Sequence, residues 1–177
     1  NMDNLKNKIR EVPDWPKKGV NFKDITTLLQ DKTAFKKTID LIAEFFADEK
    51  VDKVVGIDAR GFLIAAPLAY KLNAGLAIVR KPGKLPFSTI EQEYTLEYGK
   101  DILQMHTDAI LPGEKVILAD DLIATGGTAG ATCDIIEKLE GKVVGIAFVI
   151  DLPFLGGSEK LRKKGYKVKS LISYDSE

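Results

Sequence analysis

Apolar positions along the chain switch repeatedly between two periods, and the switches divide it into elements. Leu5 and Ile9 share a helical face near the amino end, in a helix that Pro13 and Pro16 stop. Phe35, Ile39, Ile42 and Phe46 repeat close to every 3.6 residues, and Asp31 stands where such a helix is capped. Residues 51–57 predict a strand, 62–72 a mostly apolar helix with Pro67 an irregularity near its start, and 75–79 a second strand. The runs 116–119 and 142–150 are continuously apolar, as in strands buried on both faces. Between them lies a helix over about 128–139 that ends before Gly141. A short helix near 158–164 and a strand near 167–172 complete the pattern. Strands alternating with helices predict the α/β class, a Rossmann-like parallel sheet flanked by helices.

One stretch breaks the alternation. Residues 80–107 begin Arg80-Lys-Pro-Gly-Lys-Leu-Pro-Phe87, too rich in proline, glycine and charge for a core element. Tyr94-Thr-Leu-Glu-Tyr98, Gly99-Lys100 and Asp101-Ile-Leu-Gln-Met-His106 then give two extended segments around a glycine turn. So long an excursion is either a linker or a functional hairpin, and its alternation and paired tyrosines favour an ordered lid that would exclude water. At 177 residues, with no repeat and no linker, a single domain spanning 1–177 is expected, the hairpin lid inserted at about 80–107.

The main chemical signal lies at 116–128. An apolar strand delivers Asp120 and Asp121, and Ala124-Thr125-Gly126-Gly127-Thr128 opens a helix. Ligands of open α/β sheets bind at the carboxyl ends of strands. Two hydroxyls, glycine backbone that admits close approach, and the free N–H groups of the helix would cradle a phosphate. The aspartates would repel that phosphate, so they suit a sugar diol, a Mg2+ ion, or both. The bland alternative is a glycine turn with the aspartates as caps. Neither a Gly-Lys-Ser/Thr phosphate loop nor the G-x-G-x-x-G spacing is present.

Arg60 beside Gly61 follows the strand at 51–57 and offers a fork of donors suited to pyrophosphate, the alternative being a surface ion pair. Asp58 more naturally shapes that loop than meets an anion. Arg80, Lys81 and Lys84 cluster where the hairpin begins, either as a solvated face or as cations for a diphosphate leaving group.

Composition removes several classes. Lysine plus arginine and aspartate plus glutamate both number 26, so no global field attracts nucleic acid or an anionic membrane. Cys133 and His106 stand alone, which excludes an internal disulfide and cysteine-based zinc clusters and leaves histidine chemistry little to work with. Cys133 falls among Ala131, Ile135 and Ile136 as a packed core residue. No signal peptide or bilayer-length apolar run is read, so the cytoplasm is the expected compartment. Asn1, ahead of Met2, has the look of a tag remnant.

The acidic pair followed by Thr-Gly-Gly-Thr resembles the phosphoribosyl pyrophosphate (PRPP) signature of the type I phosphoribosyltransferases, and Gly56-Ile-Asp-Ala-Arg-Gly-Phe62 resembles their pyrophosphate loop. Gly19-Val-Asn-Phe-Lys-Asp-Ile-Thr26, Arg80–Pro86 and Tyr94-x-Leu-Glu-Tyr-Gly99 are similar to the adenine-using branch of that family. The resemblance runs from Pro13 to the last strand. It implies the type I phosphoribosyltransferase fold and a Mg2+-dependent pentosyl transfer in purine salvage, from PRPP and adenine to AMP and pyrophosphate. By it, Ala124–Thr128 would hold the 5′-phosphate, and Arg60, Arg80, Lys81 and Lys84 the pyrophosphate. Phe22 would stack on adenine, with backbone near Val20 and Lys23 reading its edge; without it Phe22 would be a core aromatic. Glu97 would act on the base as a catalytic residue with Asp120 and Asp121, and Tyr98 would pack beside Glu97. Mg2+ would be held mostly by substrate and water, with Asp120 and Asp121 the protein groups available. A homodimer is implied. The rivals are transfer to another base and a PRPP- or nucleotide-sensing regulator. Against the first stand the Val20–Lys23 segment and the lid motif, and against the second neutral charge, single-domain length and a complete lid motif.

Overall fold

The computed structural model describes residues 2–96 and 98–176. The chain opens with α1 (Met2–Lys6), a two-stranded antiparallel ribbon of β1 (Arg10–Pro13) and β2 (Asn21–Asp24), then α2 (Thr26–Leu29) and α3 (Lys32–Glu44). A βαβ unit follows: β3 (Lys53–Ile57), α4 (Arg60–Leu72) and β4 (Gly75–Val79). The hairpin of β5 (Thr89–Thr95) and β6 (Lys100–His106) separates it from β7 (Lys115–Ile123) and α5 (Gly127–Lys138). The chain ends with β8 (Lys142–Asp151), a 3-10 turn (Pro153–Leu155), α6 (Gly157–Lys163) and β9 (Val168–Ser173).

The five expected strands form one wholly parallel sheet in the order β4-β3-β7-β8-β9. The chain leaves β3 toward β4 on one side and later returns to β3's other side as β7. Strand order reverses between β3 and β7, so the loops leaving their carboxyl ends part there and open a crevice. Alternation along the strands divides the core in two. Val54, Ile117, Ala119, Ala147 and Val149 pack with Ile39, Ile42, Ile64 and Leu68 of α3 and α4. Val55, Ile57, Val116, Leu118 and Phe148 pack with Ile135 and Ile136 of α5, Leu161 of α6 and the hairpin.

Local chemistry sets the helix ends. Asp31 caps α3 as expected, its carboxylate accepting from the N–H groups of Thr33 and Ala34 at 3.0 Å each. Phe46 lies just past the end of α3 yet is buried, its ring filling the space that Gly145 of β8 leaves open. α4 begins at Arg60, earlier than periodicity suggested, so Pro67 stands inside it and not near its start. It ends at Asn73, whose left-handed backbone lets Ala74 N–H return to Ala69.

The amino-terminal region departs from expectation. α1 stops at Lys6 and the chain turns into β1, so Leu5 and Ile9 are both buried without sharing a helix. The ribbon is fastened by polar pairs: Arg10 to Asp24 at 2.6 Å, and Asn21 and Lys23 to Glu11 at 2.7 and 2.8 Å. Its far side meets the end of β9. Lys6 donates to the Ser173 carbonyl at 2.8 Å, and Lys6 and Lys23 each lie 4.5 Å from the centre of the Tyr174 ring.

The hairpin is ordered and rooted. Arg80 and Gln104 exchange backbone hydrogen bonds of 3.0 and 2.8 Å, and Leu103 and Met105 enter the core beside α5. β5 ends at Thr95, so Leu96 and Tyr98 belong to the turn and not to the strand pair. Gly99 takes φ +87° in that turn, where a side chain would be strained.

Gly145→Ala should place a methyl against the Phe46 ring and destabilise the protein by about 1–3 kcal/mol in urea titration. Adding Phe46→Leu should recover part of that loss. A neutral Gly145→Ala would show that the pair is not closely packed.

Candidate active site

The crevice between β3 and β7 is a cavity of about 730 Å3, lined by the loop after β3, the end of β7, the start of α5, and Tyr94 to Leu96 of the hairpin. β7 remains a strand as far as Ile123. Asp120 and Asp121 therefore lie within it, where a flanking loop had been expected, and both are buried. Their roles differ accordingly. Asp120 packs so closely on the start of α4 that a Cβ on Gly61 would fall 2.7 Å from its Oδ1, and that oxygen also accepts the Asp121 N–H at 2.8 Å. Burial and then the neighbouring Asp121 charge hold the Asp120 carboxyl well above the usual carboxylate range. Asp121 instead accepts from Arg60 Nε at 2.6 Å.

Arg60 is the centre of the arrangement. Burial works against its charge, but Asp121, together with Asp120 and Asp24, outweighs this and holds the guanidinium more firmly protonated. The guanidinium carbon also stands 5.3 Å from the centre of the Phe22 ring. Phe22 is half-buried, meets Trp15 edge-on with ring centres 4.6 Å apart, and belongs to neither apolar layer among the described residues. Val20 is half-buried nearby in the chain. The Lys23 ammonium is buried against Glu11, which leaves only its backbone for a ligand.

The segment after β7 has the form of an anion cradle. Gly126 takes φ +85° and turns the chain into α5, whose first turn carries no acidic residue. The leading N–H groups of a helix have no intrahelical acceptor and attract negative charge. Ala124, Thr125, Gly126, Gly127 and Thr128 all line the cavity. The Tyr94 ring covers Gly127 so closely that a Cβ there would lie 3.3 Å from it.

The three cations grouped by sequence separate. Arg80 and Lys84 converge at 2.9 and 3.9 Å on Asp58, which lines the cavity, though neither cation is itself a lining residue. Lys81 turns away to Asp101 at 2.5 Å, an oxygen that the Tyr94 hydroxyl also reaches at 3.3 Å, and it does not line the cavity. Glu97 lies outside the described residues, and Tyr98 is 85% exposed. Cys133 is buried as expected, with burial and then the Glu137 and Asp134 charges pushing its thiol up to about 12. Among the described residues no three His, Cys, Asp or Glu side chains gather to hold a metal. Sequence reasoning passed over Leu122, Ile123 and Phe148 as wall residues, because apolar strand positions carry no signal separating wall from core.

Residues 24–176 match the model of the phosphoribosyl transferase domain. The chain is 57% identical over 171 residues to the adenine phosphoribosyltransferase of Alkaliphilus metalliredigens, covering 97% of this chain and 99% of that one. It is 54% identical to that of Geobacter metallireducens, covering 98% of this chain and all of the other. The crystal structure of adenine phosphoribosyltransferase from Thermoanaerobacter pseudethanolicus superposes with a TM-score of 0.94 at 48% identity, covering 98% and 100% of the two chains. The Saccharomyces cerevisiae enzyme, complexed with an imino-altritol bisphosphate and adenine, gives 0.89 at 37% identity, covering 96% and 97%.

A carboxyl whose folded pKa is raised stays protonated after its unfolded counterpart has ionised, so stability falls as pH climbs from the ordinary carboxylate value through the raised one. Asp120→Asn should therefore raise the melting temperature of the unliganded protein at about pH 7, with the gain shrinking toward about pH 4. A shift of equal size at both pH values would contradict the assignment of a raised pKa.

Proposed function

The chain belongs to the phosphoribosyltransferase family, its activity that of an adenine phosphoribosyltransferase, and on that footing we propose how its residues share the reaction. Adenine and PRPP give AMP and pyrophosphate. The bond from the anomeric carbon to the diphosphate oxygen breaks, a bond to the base nitrogen forms, and the proton of that nitrogen is lost. Positive charge builds on the ribose ring as the first bond lengthens, as in glycoside cleavage.

One observation carries the division of roles. Arg60 bonds Asp121 and stands over Phe22, in the same crevice as the Thr125–Thr128 cradle, which supports neighbouring subsites for base, ribose and phosphate. The cradle binds the 5′-phosphate through backbone N–H groups and threonine hydroxyls, gripping the substrate at a point remote from the reacting bond and fixing the anomeric carbon in place. Asp121 accepts from the ribose hydroxyls and favours the cationic ring electrostatically. Asp120, buried and biased toward its protonated form, holds the Asp121 backbone in position. Arg60, Arg80 and Lys84 face the diphosphate, while Lys81 steadies the hairpin through Asp101. Phe22 stacks on adenine, and backbone at Val20 and Lys23 reads its edge. Glu97 exchanges a proton with the base, a role that rests on the sequence resemblance.

Two buried carboxylates, one of them already paired with Arg60, suit a Mg2+ whose shell is mainly substrate and water. When bound, it would neutralise the leaving diphosphate, with Asp120 and Asp121 the protein groups available to hold it, directly or through water. A homodimer is supported by β4, an edge strand, and by Leu63, Tyr70 and Leu76, which α4 and β4 leave exposed. Among the described residues no helix is long and apolar enough to cross a membrane. A cytoplasmic location rests on the expectation from sequence.

Pyrophosphate release should be measured with PRPP, Mg2+ and each of adenine, hypoxanthine, guanine, xanthine, uracil and orotate. Release is expected with adenine, and Asp121→Asn should lower its rate by about a hundredfold or more. Release with another base in preference would overturn the base-site assignment. PRPP binding without release for any base would favour a regulator.

A further inference from the structure

We propose that Gly157, the first residue of α6, is a positioning residue that holds the phosphate cradle in shape from behind. The inference rests on the reading of Ala124–Thr128 as the 5′-phosphate site. Gly157 N–H donates to the Ala124 carbonyl at 3.1 Å. A Cβ at this position would fall 2.5 Å from that oxygen, and 2.7 Å from both Gly126 N and Thr125 C. Seen from the other side, a Cβ on Gly126 would meet Gly157 Cα at 3.0 Å. Two stretches of backbone are pressed together with no side chain between them.

The adjacent Gly156 is glycine for a different reason. It takes φ +83°, and a Cβ there would meet nothing within 4 Å. Gly157 has no positive φ, so its conformation suits any residue and only room is at issue. Gly156 is needed for the backbone turn and Gly157 for contact. The cradle needs such support because its helix start, Gly126, has no side-chain cap. A methyl group on Gly157 can be accommodated only by moving residues 124–126, whose N–H groups must converge on one phosphate. A displacement of about 1 Å in a positioning element can cost about a hundredfold in rate.

The test compares Gly157→Ala with Gly156→Ala, using AMP and adenosine as probes by calorimetry and varying PRPP and adenine separately in turnover. Gly157→Ala should weaken AMP by about tenfold or more and raise KM for PRPP, with adenosine affinity and KM for adenine held. Gly156→Ala should lower the melting temperature and keep the AMP preference. Unchanged AMP affinity in Gly157→Ala, or equal loss of AMP and adenosine, would overturn the proposal. If the unsubstituted protein itself fails to prefer AMP to adenosine, it is the phosphate-site reading that falls. Should Gly157→Ala not fold, amide hydrogen exchange on the unsubstituted protein decides. AMP should slow exchange at Gly157 relative to adenosine, and equal exchange with both would overturn the proposal.

Discussion

Asp120 and Asp121 stand side by side in a buried strand, and two adjacent carboxylates cannot both be charged there without compensation. The site resolves this by treating them differently. Asp121 takes the Arg60 guanidinium at 2.6 Å, while Asp120 is enclosed against Gly61 and pushed toward its neutral form. Each requirement fixes something further away. Enclosure of Asp120 demands glycine at the start of α4, and pairing of Asp121 demands that α4 begin with arginine. The reversal of strand order brings those two ends together, since β3 and β7 are neighbours though far apart in sequence.

The cradle is built mostly from backbone, and it is supported on several sides. Tyr94 of the hairpin covers Gly127, α6 backs Gly126, and β7 holds Ala124 at its end. The part of the site proposed to recognise phosphate thus draws its shape from three elements separate in the chain. Side chains contribute at the rim, where Arg80 and Lys84 gather around Asp58.

What could be read from the sequence follows the strength of the underlying signal. Val116 to Ala119 and the long run of β8 are apolar because both faces of the sheet are covered, so their strands were visible. Asp31 was legible because a cap is a local bond. The ribbon of β1 and β2 was not, because Arg10, Glu11, Asn21 and Lys23 carry no apolar alternation and are joined by ion pairs and hydrogen bonds across its turn. Composition grouped Lys81 with Arg80 and Lys84, yet its partner Asp101 lies on the hairpin, a distance no local pattern encodes. The Thr-Gly-Gly-Thr motif announced a cradle, but the Gly157 behind it is indistinguishable in sequence from a turn glycine such as Gly156.

Arg60 touches the acidic strand with its Nε, and the central carbon of the same guanidinium stands over the Phe22 ring. Planarity joins the two contacts rigidly, so a ligand that tilts the group at one end alters its stacking at the other. Under the proposed assignment of Asp121 to the ribose and Phe22 to the base, occupancy of one is in this way linked to occupancy of the other. Whatever factor the sugar phosphate contributes to affinity for the base, the base must return to the sugar phosphate, because a binding cycle closes on itself.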